Sequence, residues 1–317
     1  MKLIRKPIIF LLGPTATGKT EWAINWHNQF KKLEIISVDS VMVYKECNVG
    51  SAKPSNAILK KKKHHLINHV SLNEIFSVAN FYDSAHRLIQ KIHSQNKIPL
   101  MVGGSMMYFN LLKKGISTLP PANKILRQRL QNKIQKDGVS SLHKDLCRLD
   151  QKAAKDINPQ DSQRIIRAIE IITLNDKSLD ISIAESKKQP LKENYNLIEY
   201  GIFPKDRRTL HQRIEERQER LVGEKLLNEI KQIQENFKIS QEHPAMKAIN
   251  YRQGLQVLNG EIKTSDLFEK SLYATRQLAK RQCTWMRGWE DLKCFDINMI
   301  EDATNELKKQ LNLIKII

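Results

Sequence analysis

Residues 13–20 read Gly-Pro-Thr-Ala-Thr-Gly-Lys-Thr, that is, Gly13, Pro14, Thr15, Ala16, Thr17, Gly18, Lys19 and Thr20. Two glycines at this spacing, then Lys and Thr, let consecutive backbone N–H groups and a helix N-terminus converge on one point. That arrangement holds phosphate. Lys19 adds a positive charge, and the Thr20 hydroxyl is suited to Mg²⁺. An enzyme that aims a hydrolytic water at a nucleotide usually carries a later apolar strand ending in a carboxylate. Here the run over residues 99–102 passes into Gly103-Gly104-Ser105, with no acid. The acid at a strand end is Asp39, after residues 34–38. Strand C-termini converge on the ligand crevice of a parallel sheet, so Asp39 is expected beside whatever the loop holds. Spacing leaves two roles open for it: a ligand of Mg²⁺, or a base facing a second substrate.

The elements that must place these groups can be read from periodicity. Residues 8–12 are a short, wholly apolar run ended by Gly13-Pro14, which predicts a central parallel strand. A helix over 18–30, a strand over 34–38, a helix over 79–95, a strand over 98–102 and a helix to about 115 follow. This alternation predicts the α/β class with a parallel sheet. At Leu119-Pro120-Pro121 the text changes to charged, helical segments, interrupted at Asp137-Gly138, Asn158-Pro159 and a polar break over 186–190. The expected organisation is a core of residues 1–120 and 200–317 around an all-helical insertion at 121–199. Residues 195–203 would return a strand to the sheet, and helices are expected over 208–236, 251–258 and 264–289. At about 100° per residue, Leu278, Trp285 and Trp289 share one face of the last helix. Arg276, Lys280 and Arg287 share the opposite one, which predicts tryptophans packed in the core behind a basic stripe.

Lys and Arg number 53 against 34 Asp and Glu, a net charge of +19. Such an excess points to a polyanionic partner. Lysine drift would produce the same runs at Lys60–Lys63 and Lys187–Lys188. A hydrophobic content of 40% excludes a disordered or collagen-like chain. No apolar run reaches the roughly 20 residues of a membrane span, and Met1-Lys2-Leu3-Ile4-Arg5-Lys6 lacks a cleavage signature. Cys47, Cys147, Cys283 and Cys294 are scattered, against both a disulfide framework and a zinc site. For His64-His65, one ring is expected to pack and the other to meet a polar partner. The chain reads as a cytoplasmic monomer.

Taken in order, a set of blocks resembles the bacterial tRNA dimethylallyltransferases, also called isopentenyltransferases. These are GPTATGKT at 13–20; Asp39-Ser40 with Tyr44-Lys45; Gly50-Ser51-Ala52-Lys53-Pro54; His64-His65-Leu66-Ile67; and Val102-Gly103-Gly104-Ser105 with Tyr108. Gln163-Arg164-Ile165-Ile166-Arg167, Tyr251-Arg252-Gln253, the run over 274–282, Thr284-Trp285 and Arg287-Gly288-Trp289 complete it. The resemblance implies a P-loop NTPase-like core and transfer of a dimethylallyl group from dimethylallyl diphosphate to the exocyclic amine of the adenosine beside the anticodon. It implies that residues 13–20 hold the diphosphate, a motif shared with ATP-binding loops. Lys19, Thr20 and Mg²⁺ would act on the leaving group, and Asp39 as general base. It implies tRNA contacts at Asp39, Ser40, Val41, Met42, Ser105, Arg127, residues 163–167 (Gln163, Arg164, Ile165, Ile166, Arg167) and residues 247–252 (Lys247, Ala248, Ile249, Asn250, Tyr251, Arg252). With an RNA substrate implied, Arg276, Lys280 and Arg287 would track backbone phosphates, and the insertion would close on the anticodon arm. Departures from the pattern are Ser105 for threonine, Met42 for glutamine or leucine, Asn250 for glycine and Lys247 for arginine. A P-loop kinase of a small metabolite is the alternative, disfavoured by the charge and the long helical C-terminal half.

Overall fold

The computed structural model describes residues 5–117, 119–185 and 190–314. The first half alternates as its periodicity predicts, with a short helix and edge strand, α2 and β3, that the periodicity did not mark: β1 (Pro7–Leu12), α1 (Lys19–Gln29), β2 (Leu33–Val38), α2 (Asn56–Lys61), β3 (His64–His65), α3 (Val78–Ser94), β4 (Ile98–Gly103) and α4 (Met106–Lys114). All six residues of β1 and of β4 are buried, as strands covered on both faces must be. A purely helical stretch follows: α5 (Lys124–Asp137), α6 (Val139–Leu149), α7 (Gln151–Asp156), α8 (Ser162–Asn175) and α9 (Leu179–Glu185). The chain then forms α10 (Leu191–Asn194), β5 (Asn196–Ile202), α11 (Arg207–Leu221), α12 (Glu224–Phe237), α13 (Tyr251–Leu258), α14 (Leu267–Arg287), β6 (Lys293–Phe295) and α15 (Ile300–Leu313).

Among the described residues six strands form one parallel sheet in the order β3-β2-β4-β1-β5-β6. β1 therefore lies between β4 and β5, and the ends of β1, β2 and β4 bring Gly13, Asp39 and Gly104 to one edge. This is where an open α/β sheet receives its ligand. One face of the sheet packs on Trp22 and Trp26 of α1 and on Leu307 and Leu311 of α15. The Trp26 indole donates to Thr304 Oγ1 at 2.8 Å, so even this buried ring has a polar partner.

The chain divides into a unit of Met1–Lys113 with Leu191–Ile317 and a unit of Lys114–Pro190. Compared with the expected 121–199, the division comes earlier at both ends, because α10 and β5 already belong to the sheet unit. The helical unit has its own core, in which Leu130, Leu142, Leu146, Ile165, Ile169 and Ile172 pack together. Residues 186–189, the larger part of the expected polar break and its Lys187-Lys188 pair, lie outside the described residues.

Two further expectations change. The single helix over 208–236 is two, broken at Val222-Gly223, where glycine's poor helix propensity interrupts the periodic pattern. His64 and His65 form a two-residue edge strand; His64 Nδ1 meets Lys62 O at 2.7 Å and His65 Nε2 meets Glu34 at 2.7 Å. Both rings thus have a polar partner. Lys60 and Lys61 end α2, which suits cations at a helix C-terminus. Among the described residues no helix is long and apolar enough to cross a membrane.

Candidate active site

A cavity of about 700 Å³ opens over the ends of β1, β2 and β4. Thr15, Ala16, Gly18, Lys19 and Thr20 line one side of it, and Asp39, Ser40, Val41, Met42 and Ser105 line another. Lys247, Ala248, Ile249 and Asn250 reach it from the segment before α13. Sequence reasoning placed all of these at a site, and the fold brings them to one space.

The phosphate loop is held open by its own side chains. Gly18, with φ of 87°, makes the left-handed turn into α1. Thr17 Oγ1 donates to Pro14 O at 2.9 Å, and Lys19 Nζ donates to the same carbonyl at 2.5 Å. Gly13, Pro14 and Thr17 are buried under the loop and do not line the cavity. Burial, and then the nearby Arg217 guanidinium, push the Lys19 ammonium down to about 7, against an opposite pull from Asp39. Burial lowers Arg217 as well. Two desolvated cations around a phosphate loop form a site complementary to an anion of high charge.

Asp39 is oriented by the chain that follows it. Its Oδ1 accepts from Val41 N at 2.8 Å and Met42 N at 3.0 Å, an Asx turn that fixes the carboxylate at the end of β2. The segment beyond it is tied down by two half-buried charged groups. Lys53 Nζ donates to Tyr44 O at 2.7 Å and Asn68 Oδ1 at 2.7 Å, and burial lowers it to about 8. The Glu229 carboxylate accepts from Asn48 N, Val49 N and Gly50 N, at 2.8–3.2 Å, and from the Tyr251 hydroxyl at 2.7 Å.

Several expected RNA contacts are placed otherwise. Tyr251 is fully buried, its hydroxyl committed to Glu229, so its side chain is structural. Asn250 has the positive φ expected at a glycine-like position, 75°, and its Nδ2 donates to Gly50 O at 3.0 Å. Arg252 is exposed and outside the cavity lining, and Lys247 pairs with Glu242 at its surface. In the helical unit Ile165 is fully buried in the core and offers nothing to a ligand. Arg127 and Arg167 both bind the buried Glu170. Arg127 does so through Nε and Nη2 at 2.9 and 2.8 Å, and Arg167 through Nη1 at 2.5 Å with Nη2 on Pro120 O at 2.8 Å. Gln163 and Arg164 are exposed on the same helix, and Ile166 is half-buried.

α14 corrects the expected two-faced helix to a three-sided one. Its buried stripe is Leu272, Thr275, Ala279, Cys283 and Met286. Leu278 and Trp285 lie about 100–120° round from it, and line the cavity; Trp285 is 44% exposed rather than packed in the core. Trp289 lies beyond the helix, its indole donating to Glu199 at 2.6 Å and the Lys113 ammonium 5.5 Å over its ring. On the third side Arg276 pairs with Glu215 at 2.8 Å, Arg287 lies over Phe203, and Lys280 is exposed.

Among the cavity residues the sequence did not mark are the two that hold Thr15. Arg217 of α11 donates to Thr15 Oγ1 at 2.8 Å, and Gln282 of α14 accepts from Thr15 N at 2.9 Å. Arg217 sits in a run of Arg and Glu with nothing to mark it. Gln282 and its cavity-lining neighbour Arg281 stand inside the quoted block over 274–282, which was the available signal.

A family model described as IPP transferase matches residues 42–289. A tRNA dimethylallyltransferase of Francisella philomiragia is 40% identical over 307 residues, 97% of this chain and 97% of that protein. One of Thiobacillus denitrificans is 40% identical over 283 residues, 89% of each. The structure of a tRNA isopentenylpyrophosphate transferase from Bacillus halodurans superposes with a TM-score of 0.69 at 30% identity, covering 98% of both chains.

Proposed function

The chain belongs to the IPP transferase family, and from that premise we propose that it transfers a dimethylallyl group from dimethylallyl diphosphate to the N6 amine of the adenosine next to the anticodon in tRNA. The observation that supports this most is one cavity with desolvated Lys19 and Arg217 on the phosphate side and the oriented Asp39 carboxylate on another. An anionic leaving group and an amine that must lose a proton need those two charges in one space.

In this reading the backbone N–H groups of residues 13–20 and the N-terminus of α1 receive the diphosphate. Lys19 and Arg217 stabilise the charge that develops on it as the allylic C–O bond breaks. The amine nitrogen forms the new N–C bond, and Asp39 accepts its proton. Adenine's amine is a weak nucleophile, so alignment carries much of the rate. The adenine leaves the anticodon stack to enter the cavity, past Ser40, Val41, Met42, Ser105 and Lys247–Asn250. The helical unit, with exposed Gln163 and Arg164 beside Arg127 and Arg167, supplies further tRNA contacts.

Mg²⁺ fits this donor set. The Thr20 hydroxyl is a hard oxygen ligand at the phosphate end of the cavity, and among the described residues no cluster of three His, Cys, Asp or Glu forms a rival cage. Held by Thr20 and the substrate's own phosphates, the ion would neutralise charge on the departing diphosphate.

Incubation with bulk tRNA and either radiolabelled dimethylallyl diphosphate or γ-labelled ATP tests the function. Label entering tRNA from the prenyl donor is the expected result. Transfer of γ-phosphate to a metabolite without prenylation would replace it with the kinase reading, and strong tRNA-stimulated ATP hydrolysis alone would also sink it.

A further inference from the structure

Gln282 of α14 is buried, and both ends of its carboxamide are engaged. Its Oε1 accepts from the backbone N–H of Thr15 at 2.9 Å, and its Nε2 donates to the backbone carbonyl of Gly104 at 2.8 Å. Thr15 belongs to the phosphate loop after β1, and Gly104 to the turn after β4. Those strands are neighbours, and their pairing ends at Leu12 and Gly103. Beyond that rung the two chains part, one around the diphosphate site and the other toward Ser105. The carboxamide bridges them with one donor and one acceptor, as a peptide unit of a further strand would.

The surroundings are shaped to this bridge. A Cβ on Gly104 would stand 2.5 Å from Gln282 Nε2, so any side chain there displaces the amide. Thr15 is held from its other side by Arg217. The Gly104 side is continuous with Asp39, since Gly103 pairs with Val38 and Ser105 N donates to Val38 O at 3.4 Å.

We infer that Gln282 is a positioning residue that sets the separation between the diphosphate loop and the Asp39–Ser105 side of the cavity. The inference rests on the transferase reading. In that reaction the amine nitrogen, the allylic carbon and the departing oxygen must align while the C–O bond breaks, the N–C bond forms and the proton passes to Asp39. Gln282 touches none of these atoms. It acts through the two loops that carry them, and a misplacement of about 1 Å costs on the order of 10²-fold in rate. Each substrate keeps its own contacts on its side of the bridge, so binding is spared.

The test compares wild type, Gln282→Leu, Gln282→Glu, Gly104→Ala and the double variant Gly104→Ala with Gln282→Leu in steady-state prenyl transfer. Activity is referred to the concentration of sites that bind dimethylallyl diphosphate, so that a loss of folded protein does not register as a loss of kcat. The expected result is a kcat lowered on the order of 10–100-fold in each single variant, with both KM values within about threefold. The double variant should be no slower than the slower single one, because Gly104→Ala has no amide left to displace. Gln282→Glu keeps the acceptor for Thr15 but sets a carboxylate against the Gly104 carbonyl, and should fail in the same way. If Gln282→Leu does not fold, Gln282→Glu and Gly104→Ala must show the same split. A raised KM for dimethylallyl diphosphate with kcat retained, unchanged kinetics, or additive losses in the double variant would overturn the inference. A wild-type protein that transfers no prenyl group would instead bring down the functional reading itself.

Discussion

At the scale of single residues, the proposed chemistry falls on Asp39 and Lys19, and each has a distinct signature. Asp39→Asn keeps the shape and the backbone N–H bonds at Oδ1 but removes the proton acceptor. Turnover should fall by a factor on the order of 10²–10⁴ with tRNA affinity little changed, as measured by single-turnover transfer and filter binding. Collapse of diphosphate and Mg²⁺ binding in that variant would make Asp39 a metal ligand instead. Lys19 provides a pH dependence. With its ammonium pushed down to about 7, a large fraction is neutral at pH 8. A bound diphosphate favours the charged form, so binding must take up a proton. Affinity for dimethylallyl diphosphate should therefore be full below about 7 and fall as pH rises above it, by up to about tenfold per pH unit. Calorimetry at pH 8 in buffers of different ionisation enthalpy measures the uptake directly. Zero uptake would mean that Lys19 is already charged in the free protein.

At the scale of elements, the helical unit is organised around one carboxylate. Glu170 of α8 is fully buried, and it gathers Arg127 of α5, Arg167 of its own helix and the Asn123 backbone N–H. Burial alone would raise its carboxyl, but the Arg127 and Arg167 bonds outweigh that and hold it below the ordinary 4.5. A depressed carboxyl contributes stability that is present above its unfolded value and lost as pH falls through the folded one. The contact between α5 and α8 should therefore weaken only below about pH 4.5. Glu170→Leu leaves two guanidinium groups without their counter-ion and should destabilise the protein by about 3 kcal/mol, less whatever water recovers for the half-exposed arginines. Urea unfolding followed by circular dichroism measures it. A loss near zero would show that solvent already satisfies both arginines. The same network explains why Arg127 and Arg167, which face the surface in part, are also fixed in orientation before any RNA arrives.

At the scale of the whole molecule, the net charge of +19 suits a polyanionic partner, and the proposed tRNA substrate is one. Not every cation serves equally, since Arg276 and Lys247 are engaged with Glu215 and Glu242. Lys280 of α14 is exposed on the basic side and is the sharper probe. If it meets a backbone phosphate, Lys280→Ala should weaken tRNA binding and reduce the slope of log affinity against log salt by about one unit. Affinity for dimethylallyl diphosphate alone should stay as in wild type, because Lys280 does not line the cavity. Binding isotherms at several salt concentrations decide it, and an unchanged slope returns that side of α14 to an ordinary solvated surface.

By itself the sequence determined whatever depends on local pattern. Apolar runs ended by Gly13-Pro14 and Gly103-Gly104 specify buried parallel strands, the glycine spacing specifies the phosphate loop, and the acid after residues 34–38 lands at the same sheet edge. The ordered motif blocks carried the family. Tertiary structure alone decided which side chains remain available. Ile165 and Tyr251 stand in blocks that resemble an RNA site, yet core packing and Glu229 have taken them, because a motif records a residue's place in the chain and not its neighbours. Trp285 reads as core on a two-faced wheel, and faces the cavity because α14 packs on its neighbours along a third direction. Arg217 and Gln282 reach Thr15 across 202 and 267 residues of chain. No local periodicity encodes contacts of that separation; they exist only once the sheet has brought β1 beneath α11 and α14.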